Sequence, residues 1–364
     1  MKDVFIMTNN MNGGGAERVL LTLLNHLPPE RFNVELCLVY NEGVLIEQLP
    51  KHINVSVLFE KGDSQASKNI HNDTGELYRR AVKKEYDIEI AFLEGNSVKI
   101  MSQSTNYQAL KIAWVHIDLS QQHYTLSVFG SIEKEYNAFS AFDKIFCVSS
   151  DVRDGLIKLF GEKLRSKEFV VFNPIDQSKI TALATETTPP KHEITFCAVG
   201  RLVEQKRFDR LIYATERLHN EGQRFNIWIL GEGSLELQLR QKCLELGLMN
   251  IFSFLGFQKN PYPYIRCADA LISCSMAEGL SMVIGEALIL KTPIIATNCG
   301  GQSEALQGGK YGLLVENSTT GVYEGMKAFL THEYTGNEIK CGDPNRFRPY
   351  ELNHYIKRIC ELME

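Results

Sequence analysis

The chain has 364 residues, 44% of them apolar and 23% charged, with a formal net charge of -5. That length exceeds what one hydrophobic core usually supports, so two domains are expected, and the composition is that of an ordinary globular protein. The acidic balance, which both halves share, argues against a nucleic-acid binder, because such a protein carries a basic excess on at least one domain.

An opening strand at residues 4–8 runs into NNMNGGGAERVLLTLLNHL, where Gly13, Gly14 and Gly15 precede a helix whose Val19, Leu20, Leu23, Leu24 and Leu27 recur at helical spacing. Backbone N–H groups at a glycine-opened helix start suit an anion. A tight turn accounts for the same residues equally well, and the loop lacks the G-x-G-x-x-G of dinucleotide sites. Strands are expected at NVELCLVY, INVSVLFE and DIEIAFLE, with a polar segment at 61–75 and a helix at 76–85. Arg79, Arg80, Lys83 and Lys84 on that helix suit anionic headgroups, although such a run is more often a solvated face. The strand KIAWVHID brings His116 to its carboxyl end, where a histidine either meets a ligand or satisfies local hydrogen bonds. A helix at 132–139 and the strand DKIFCVSS follow, with Ser149, Ser150 and Asp151 capping the next helix. FVVFNPID closes this series at Asn173-Pro174.

Residues 181–192 (TALATETTPPKH), rich in Thr and Pro, read as an inter-domain linker. The expected domains are therefore 1–180 and 190–349, with a terminal helix at 350–364 joining the first. Six further strands are expected at 194–199, 226–230, 251–254, 270–273, 293–296 and 312–315. Strands alternating with helices in both halves imply two doubly wound α/β domains with a cleft between them. A ligand belongs at the carboxyl ends of such strands.

Nine cysteines occur without a C-x-x-C pair, and Cys37, Cys147, Cys197 and Cys274 lie inside apolar runs. Reduced thiols in a cytosolic protein fit this better than disulfides or a zinc site. No apolar run approaches the roughly 20 residues that span a bilayer. The first residues, MKDVFIMTNN, turn polar too soon for a secretory leader. Contact with a membrane, if made, is expected from its surface.

Polar signals gather between residues 196 and 304. CAVGRLVEQKRFDRLI ends an apolar run at Gly200-Arg201 and places Lys206 at a helix start; IWILGEGSLELQLR ends another in a glycine turn. SCSMAEGLSMVIGEALILKTPIIATNCGG holds Glu278 and Glu286 on either side of seven residues. An arginine and a lysine near one anion suit a diphosphate. A glutamate at 286, among Val283, Ile284, Ala287 and Leu288, is costly to bury without a partner.

Together, GGAE after the first strand, VGRL with a lysine five residues past its arginine, EGL-x5-E, P-x-I-A-T and GG-x-x-E resemble family 4 of the retaining glycosyltransferases. The resemblance covers essentially the whole chain. It implies the GT-B fold, an α/β architecture of two Rossmann-like doubly wound domains facing each other across a cleft. The C-terminal domain would take a nucleotide sugar, with a UDP-sugar expected, and the N-terminal one an acceptor. Arg201 and Lys206 then match the pair that holds the donor diphosphate, and Glu286 the carboxylate on the ribose. Glu278 matches the group near the sugar hydroxyls, with Gly279, Leu280 and Ser281 offering backbone N–H groups. Phe257 and Gln258 match the segment whose backbone reads the base. Gly14 and Gly15 match the loop approaching the donor phosphates, and His116 matches a histidine on the donor sugar. Glu17 is expected to cap its helix and to take no catalytic part. The four residues expected in the chemistry are His116, Arg201, Lys206 and Glu278.

The same resemblance implies a metal-independent hexosyltransferase without a cofactor, since no D-x-D occurs and cationic side chains face the diphosphate. The expected partners are the nucleotide sugar and a glycan acceptor, lipid-linked, for surface polysaccharide, capsule or glycoprotein glycan synthesis. The expected place is the cytoplasm, at the inner face of the membrane. Loops 61–75 and 117–130 are candidates for reading the acceptor. Ser281 stands where a proline is frequent in the family, and residues 331–349 are irregular. Two rival readings keep the same architecture: a sugar-nucleotide epimerase or phosphorylase, and a non-catalytic scaffold subunit. A scaffold is expected to have lost Arg201, Lys206 or Glu286, and all three are present.

Overall fold

A computed structural model describes residues 1–191, 193–336 and 351–364. The chain forms two compact units, one of Met1–Pro174 with Leu352–Glu364 and one of Ile175–Glu351.

The first unit is built on seven strands: β1 Lys2–Thr8, β2 Phe32–Asn41, β3 Asn54–Glu60, β4 Ile88–Ala91, β5 Leu110–Val115, β6 Lys144–Cys147 and β7 Glu168–Val170. They lie in the order β3-β2-β1-β4-β5-β6-β7, and every neighbouring pair is parallel. Parallel neighbours require crossovers, supplied by helices α1 Gly15–His26, α2 Ala66–Asn72, α3 Thr74–Ala81, α4 Asn96–Met101, α5 Leu126–Phe129, α6 Ile132–Ser140 and α7 Ser150–Phe160. With helices on both faces, central strands lose the alternation of a one-sided sheet. Thus β4 is buried at every position, Glu89 included, whose carboxylate accepts the Tyr78 hydroxyl at 2.9 Å.

The second unit starts with α8 Gln177–Leu183, then alternates β8 Thr195–Val199, α9 Phe208–Asn220, β9 Asn226–Leu230, α10 Glu236–Glu245, β10 Phe252–Phe254, α11 Tyr262–Cys267, β11 Ala270–Ser273, α12 Met282–Leu290, β12 Ile294–Thr297, α13 Gly300–Ala305, β13 Leu313–Val315 and α14 Thr319–Leu330. Its parallel sheet has the order β10-β9-β8-β11-β12-β13. Phe196, Leu211, Ile227, Ile272, Ile295 and Met326 interlock on one side of this sheet. Both units therefore show the Rossmann-like doubly wound pattern expected from the alternation. In each, strand order reverses beside the first strand, which opens a crevice at the carboxyl edge. That crevice lies between β8 and β11 in the second unit and between β1 and β4 in the first.

Two segments differ from the sequence reading. The polar stretch 61–75 contains α2, whose Ala66 and Ile70 are buried. The segment read as a linker begins inside α8. Asp176 caps that helix by accepting the Lys179 amide at 2.9 Å, Ile180 and Ala184 are buried, and the Leu183 carbonyl accepts from Asn260. Apolar anchors that sparse do not produce a helical stripe in the sequence. The C-terminal helix Leu352–Met363 packs in the first unit through Tyr355, Ile359 and Met363. Lys2 and Lys144 donate to the carbonyls of Met363 and Leu362 in its last turn, where cations are favoured. The expected irregularity at 331–349 falls, from residue 337 on, outside the described residues, as does Tyr350.

The basic run on and after α3 is engaged within its own unit. Arg79 pairs with Glu76, Arg80 donates to the Leu58 carbonyl above the Phe59 ring, and Lys84 pairs with Asp3 and Glu35. Among the described residues, no helix is long and apolar enough to cross a membrane.

Candidate functional site

Where β8 ends, the chain turns through Gly200, Arg201 and Leu202. The glycine turn after β9 packs directly on this loop: the Leu202 amide donates to Glu232 O at 2.9 Å, and the Leu235 amide to Leu202 O at 3.0 Å. Gly231 sits at φ +134°, and a Cβ there would lie 2.0 Å from Gly200 O. Only glycine permits that approach. Arg201 is exposed. Its guanidinium makes no hydrogen bond or ion pair with the described residues. A 3-10 turn at Glu204–Lys206 then leads to Arg207, which takes φ +49° ahead of α9 and is held by a two-pronged contact to Asp209 at 2.9 and 2.8 Å.

This turn aims Lys206 across the crevice at the loop that follows β11. Its Nζ lies 2.5 Å from Glu278 Oε1, which also accepts the Ser275 hydroxyl at 2.6 Å. Glu278 is only 7% exposed, so its charge depends on these two donors. Gly279, Leu280 and Ser281 then carry the chain into α12, with Leu280 and Ser281 buried and no side-chain cap at Ser281. Glu286 is buried on that otherwise apolar helix, with the Tyr262 hydroxyl 3.4 Å from its Oε1. Gly301, in α13, lets this loop sit close: its amide donates to Glu278 O at 3.3 Å, and a Cβ would lie 2.1 Å from Gly279 O.

Phe257 and Gln258 follow Gly256 at the end of β10. The Phe257 amide donates to Glu232 at 3.2 Å and the Gln258 side chain to Leu255 O at 2.7 Å. They share the carboxyl edge of the sheet with Arg201 and Glu278, with β9 and β8 lying between β10 and β11.

Gly14, Gly15 and His116 belong to the first unit. Gly14 is the N-cap of α1 without a side-chain cap bond, and Glu17 lies in the first turn, where the helix dipole favours a carboxylate. His116 directly follows β5. Its ring packs on Phe92 at 4.8 Å and stacks on Trp114 at 6.0 Å, and both ring nitrogens are buried without a hydrogen bond among the described residues. Burial pushes its pKa down to about 3, so the imidazole is neutral at physiological pH. Its backbone amide donates to Glu94 Oε2 at 2.8 Å, while Glu94 Oε1 accepts the Tyr124 hydroxyl at 2.6 Å. Burial raises the Glu94 carboxyl, and these two bonds oppose that rise. Glu135, fully buried on α6, receives His123 and Thr125 at 2.5 Å each. Loop 117–130 is thus anchored on buried carboxylates.

The residues singled out from the sequence therefore fall into two groups. Lys206 and Glu278 touch, and Arg201, Gly279, Leu280, Ser281 and Glu286 lie on the same two loops and on α12. Phe257 and Gln258 stand further along the same edge. Ser275, Tyr262 and Glu94 also belong to these arrangements and escaped the sequence reading, because a lone serine, tyrosine or glutamate has no spacing signal. Among the described residues, no group of three or more His, Cys, Asp or Glu is placed to hold a metal ion.

Residues 180–345 match the family described as glycosyl transferases group 1. Over 338 residues, 91% of the chain and 90% of the relative, it is 26% identical to the N-acetylgalactosamine-N,N'-diacetylbacillosaminyl-diphospho-undecaprenol 4-alpha-N-acetylgalactosaminyltransferase of Campylobacter jejuni. An uncharacterized glycosyltransferase of Methanocaldococcus jannaschii is 29% identical over 170 residues, 45% of the chain, a match that spans only 42% of that relative. Among solved structures, Anabaena HepE in complex with UDP and glucose superposes with a TM-score of 0.78 at 18% identity, covering 100% of the chain and 99% of that protein.

Proposed function

We propose that this chain, whose residues 180–345 belong to the group 1 glycosyl transferases, moves a hexose or N-acetylhexosamine from a UDP-sugar to a hydroxyl of a lipid-linked glycan. The observation that carries this reading is the Lys206–Glu278 pair at the crevice of the second sheet, with the unengaged Arg201 guanidinium on the same loop as Lys206. The Campylobacter relative, named for transfer of N-acetylgalactosamine to an undecaprenol-linked acceptor, supports both the sugar class and the acceptor class. The solved relative bound to UDP and glucose supports the nucleotide.

In this reading Arg201 and Lys206 meet the diphosphate, and their charges offset the negative charge that grows on it as the bond to the anomeric carbon breaks. No divalent ion is required for that step. Glu278 holds sugar hydroxyls and orients Lys206, Gly279 to Ser281 present backbone N–H groups, and Glu286 takes the ribose hydroxyls. Phe257 and Gln258 lie beside the base. The C1–O bond to phosphate breaks while a C1–O bond to the acceptor forms on the same face. The acceptor proton passes to the departing phosphate oxygen, so configuration is retained. In the first unit, Gly14 and Gly15 at the start of α1 carry backbone N–H groups suited to an anion, and the neutral His116, whose ring nitrogens have no partner among the described residues, keeps a donor and an acceptor for a ligand hydroxyl. Such an enzyme would work on the cytoplasmic face of a membrane, touching it from the surface.

The test is transfer from a panel of UDP-sugars, including UDP-N-acetylgalactosamine and UDP-glucose, to undecaprenol-linked glycans in the presence of a chelator, with the new linkage read by NMR. An α-linked product formed without metal is expected. A β-linked product, or strict dependence on a divalent ion, contradicts the mechanism.

A further inference from the structure

Five consecutive backbone carbonyls lead up to the Glu278 side chain, and each accepts a hydrogen bond from a different part of the second unit. Cys274 O receives Arg210 Nη1 at 3.2 Å, Ser275 O the Thr297 hydroxyl at 2.6 Å, and Met276 O Asn317 Nδ2 at 3.0 Å. Ala277 O receives Gln205 Nε2 at 2.8 Å, and Glu278 O the Gly301 amide at 3.3 Å. The Met276 amide in turn donates to Gln205 O at 2.9 Å. A loop after a strand ordinarily leaves such carbonyls to water, because connections run over the surface. Here the loop is bound at every step.

Arg210 is the unusual member. It is 8% exposed on α9, and it touches no carboxylate among the described residues: Asp209 is taken by Arg207. Its partners are Cys274 O and, at 2.5 Å, Asn317 Oδ1. Asp209 acts on it only through space, and a buried guanidinium with no carboxylate bonded to it is costly. An apolar residue on this helix face would serve packing better. What the arginine supplies is two directed N–H bonds, one to the loop and one to Asn317, whose own amide grips the loop two residues further on.

We propose that Arg210 and Asn317 are positioning residues of the transfer reaction, a clamp that fixes the path of residues 274–278 and thereby sets Glu278 against Lys206 before any ligand arrives. This rests on the glycosyltransferase reading above. Neither residue touches the proposed substrate; both act through the loop.

Asn317→Asp separates this role from general support of the fold. It keeps an acceptor for Arg210, now charged, but replaces the donor to Met276 O with a repelling oxygen. In the ligand-free protein, hydrogen exchange at amides 275–279 is expected to accelerate by about tenfold, with the rest of the unit unchanged. With UDP-N-acetylgalactosamine as donor, kcat is expected to fall by about tenfold or more and KM to stay within about threefold, as for a small misplacement of catalytic groups. Arg210→Lys, which preserves the charge and a single bond, is expected to lie between wild type and Asn317→Asp in both readouts. Unchanged exchange at 275–279 in both variants overturns the clamp, as does acceleration spread evenly over the whole unit. A wild-type protein that turns over no UDP-sugar contradicts the glycosyltransferase reading instead, and the exchange result still decides the clamp.

Discussion

Lys206 and Glu278 lie 72 residues apart in sequence, yet the ammonium of one sits 2.5 Å from the carboxylate of the other. Their side chains are 20% and 9% exposed, so neither charge is well served by water. Breaking such a pair from one side strands the survivor, whereas removing both charges does not.

Lys206→Met is therefore expected to cost about 1–3 kcal/mol in urea denaturation, since Glu278 keeps only the Ser275 hydroxyl. Adding Glu278→Gln to that variant should restore most of the loss. Transfer activity should stay down by about a hundredfold or more in the single and the double variant alike, because the charge facing the diphosphate is gone in both. Recovery of activity along with stability would assign the pair a structural role alone.

Much of this arrangement was legible in the sequence, for a physical reason. Glycines at 231 and 301 and carboxylates at 278 and 286 are forced by close backbone approach and by charge in apolar surroundings, and both leave local marks. Strand positions such as 226–230 and 270–273 were readable because strands covered on both faces are continuous apolar runs. The clamp was not. Arg210, Asn317, Gln205 and Thr297 act on the loop across distances of up to 72 residues in sequence, and each looks locally like any polar residue of a helix or strand end. The linker reading of 181–192 went astray at α8 because two buried residues, Ile180 and Ala184, hold that helix.

Gly301→Ala places a Cβ 2.1 Å from Gly279 O and 2.9 Å from the Leu280 amide, both backbone atoms that cannot rotate away. The expected cost is about 1–3 kcal/mol of stability, with the loop between Glu278 and Ser281 displaced. UDP-sugar affinity, followed by calorimetry, should weaken by about tenfold or more, as about 1.4 kcal/mol of lost binding implies. Unaltered affinity would remove this loop from the donor site.

Burial holds the His116 imidazole at about 3, against 6.5 for a free side chain. Between those values the unfolded chain binds a proton that the native state refuses, so stability falls as pH falls through this window. His116→Phe removes the titrating group and keeps the packing on Phe92 and Trp114. The stability of wild type relative to this variant should drop by about 1.4 kcal/mol per pH unit below pH 6. Parallel curves for the two proteins would mean that the ring protonates in the folded state.

Glu168 behaves in the opposite sense. Both of its carboxyl oxygens are buried without a hydrogen bond among the described residues, and burial raises it to about 7 from 4.5. Over that range the native state holds the extra proton, so this group's contribution is fullest in acid and is lost as pH rises towards 7. Glu168→Gln should melt higher than wild type at pH 8 and at about the same temperature at pH 4.5. A melting difference that does not change with pH would contradict the shift.

The donor site is tested by titrating UDP into the wild-type protein, Arg201→Ala and Glu286→Ala in a calorimeter. One site per chain is expected in the wild type, with affinity reduced by about tenfold or more in each variant, because a charged hydrogen-bonding group is lost. Absence of UDP binding, or binding that both substitutions leave intact, would contradict a donor site at Arg201, Lys206, Glu278 and Glu286.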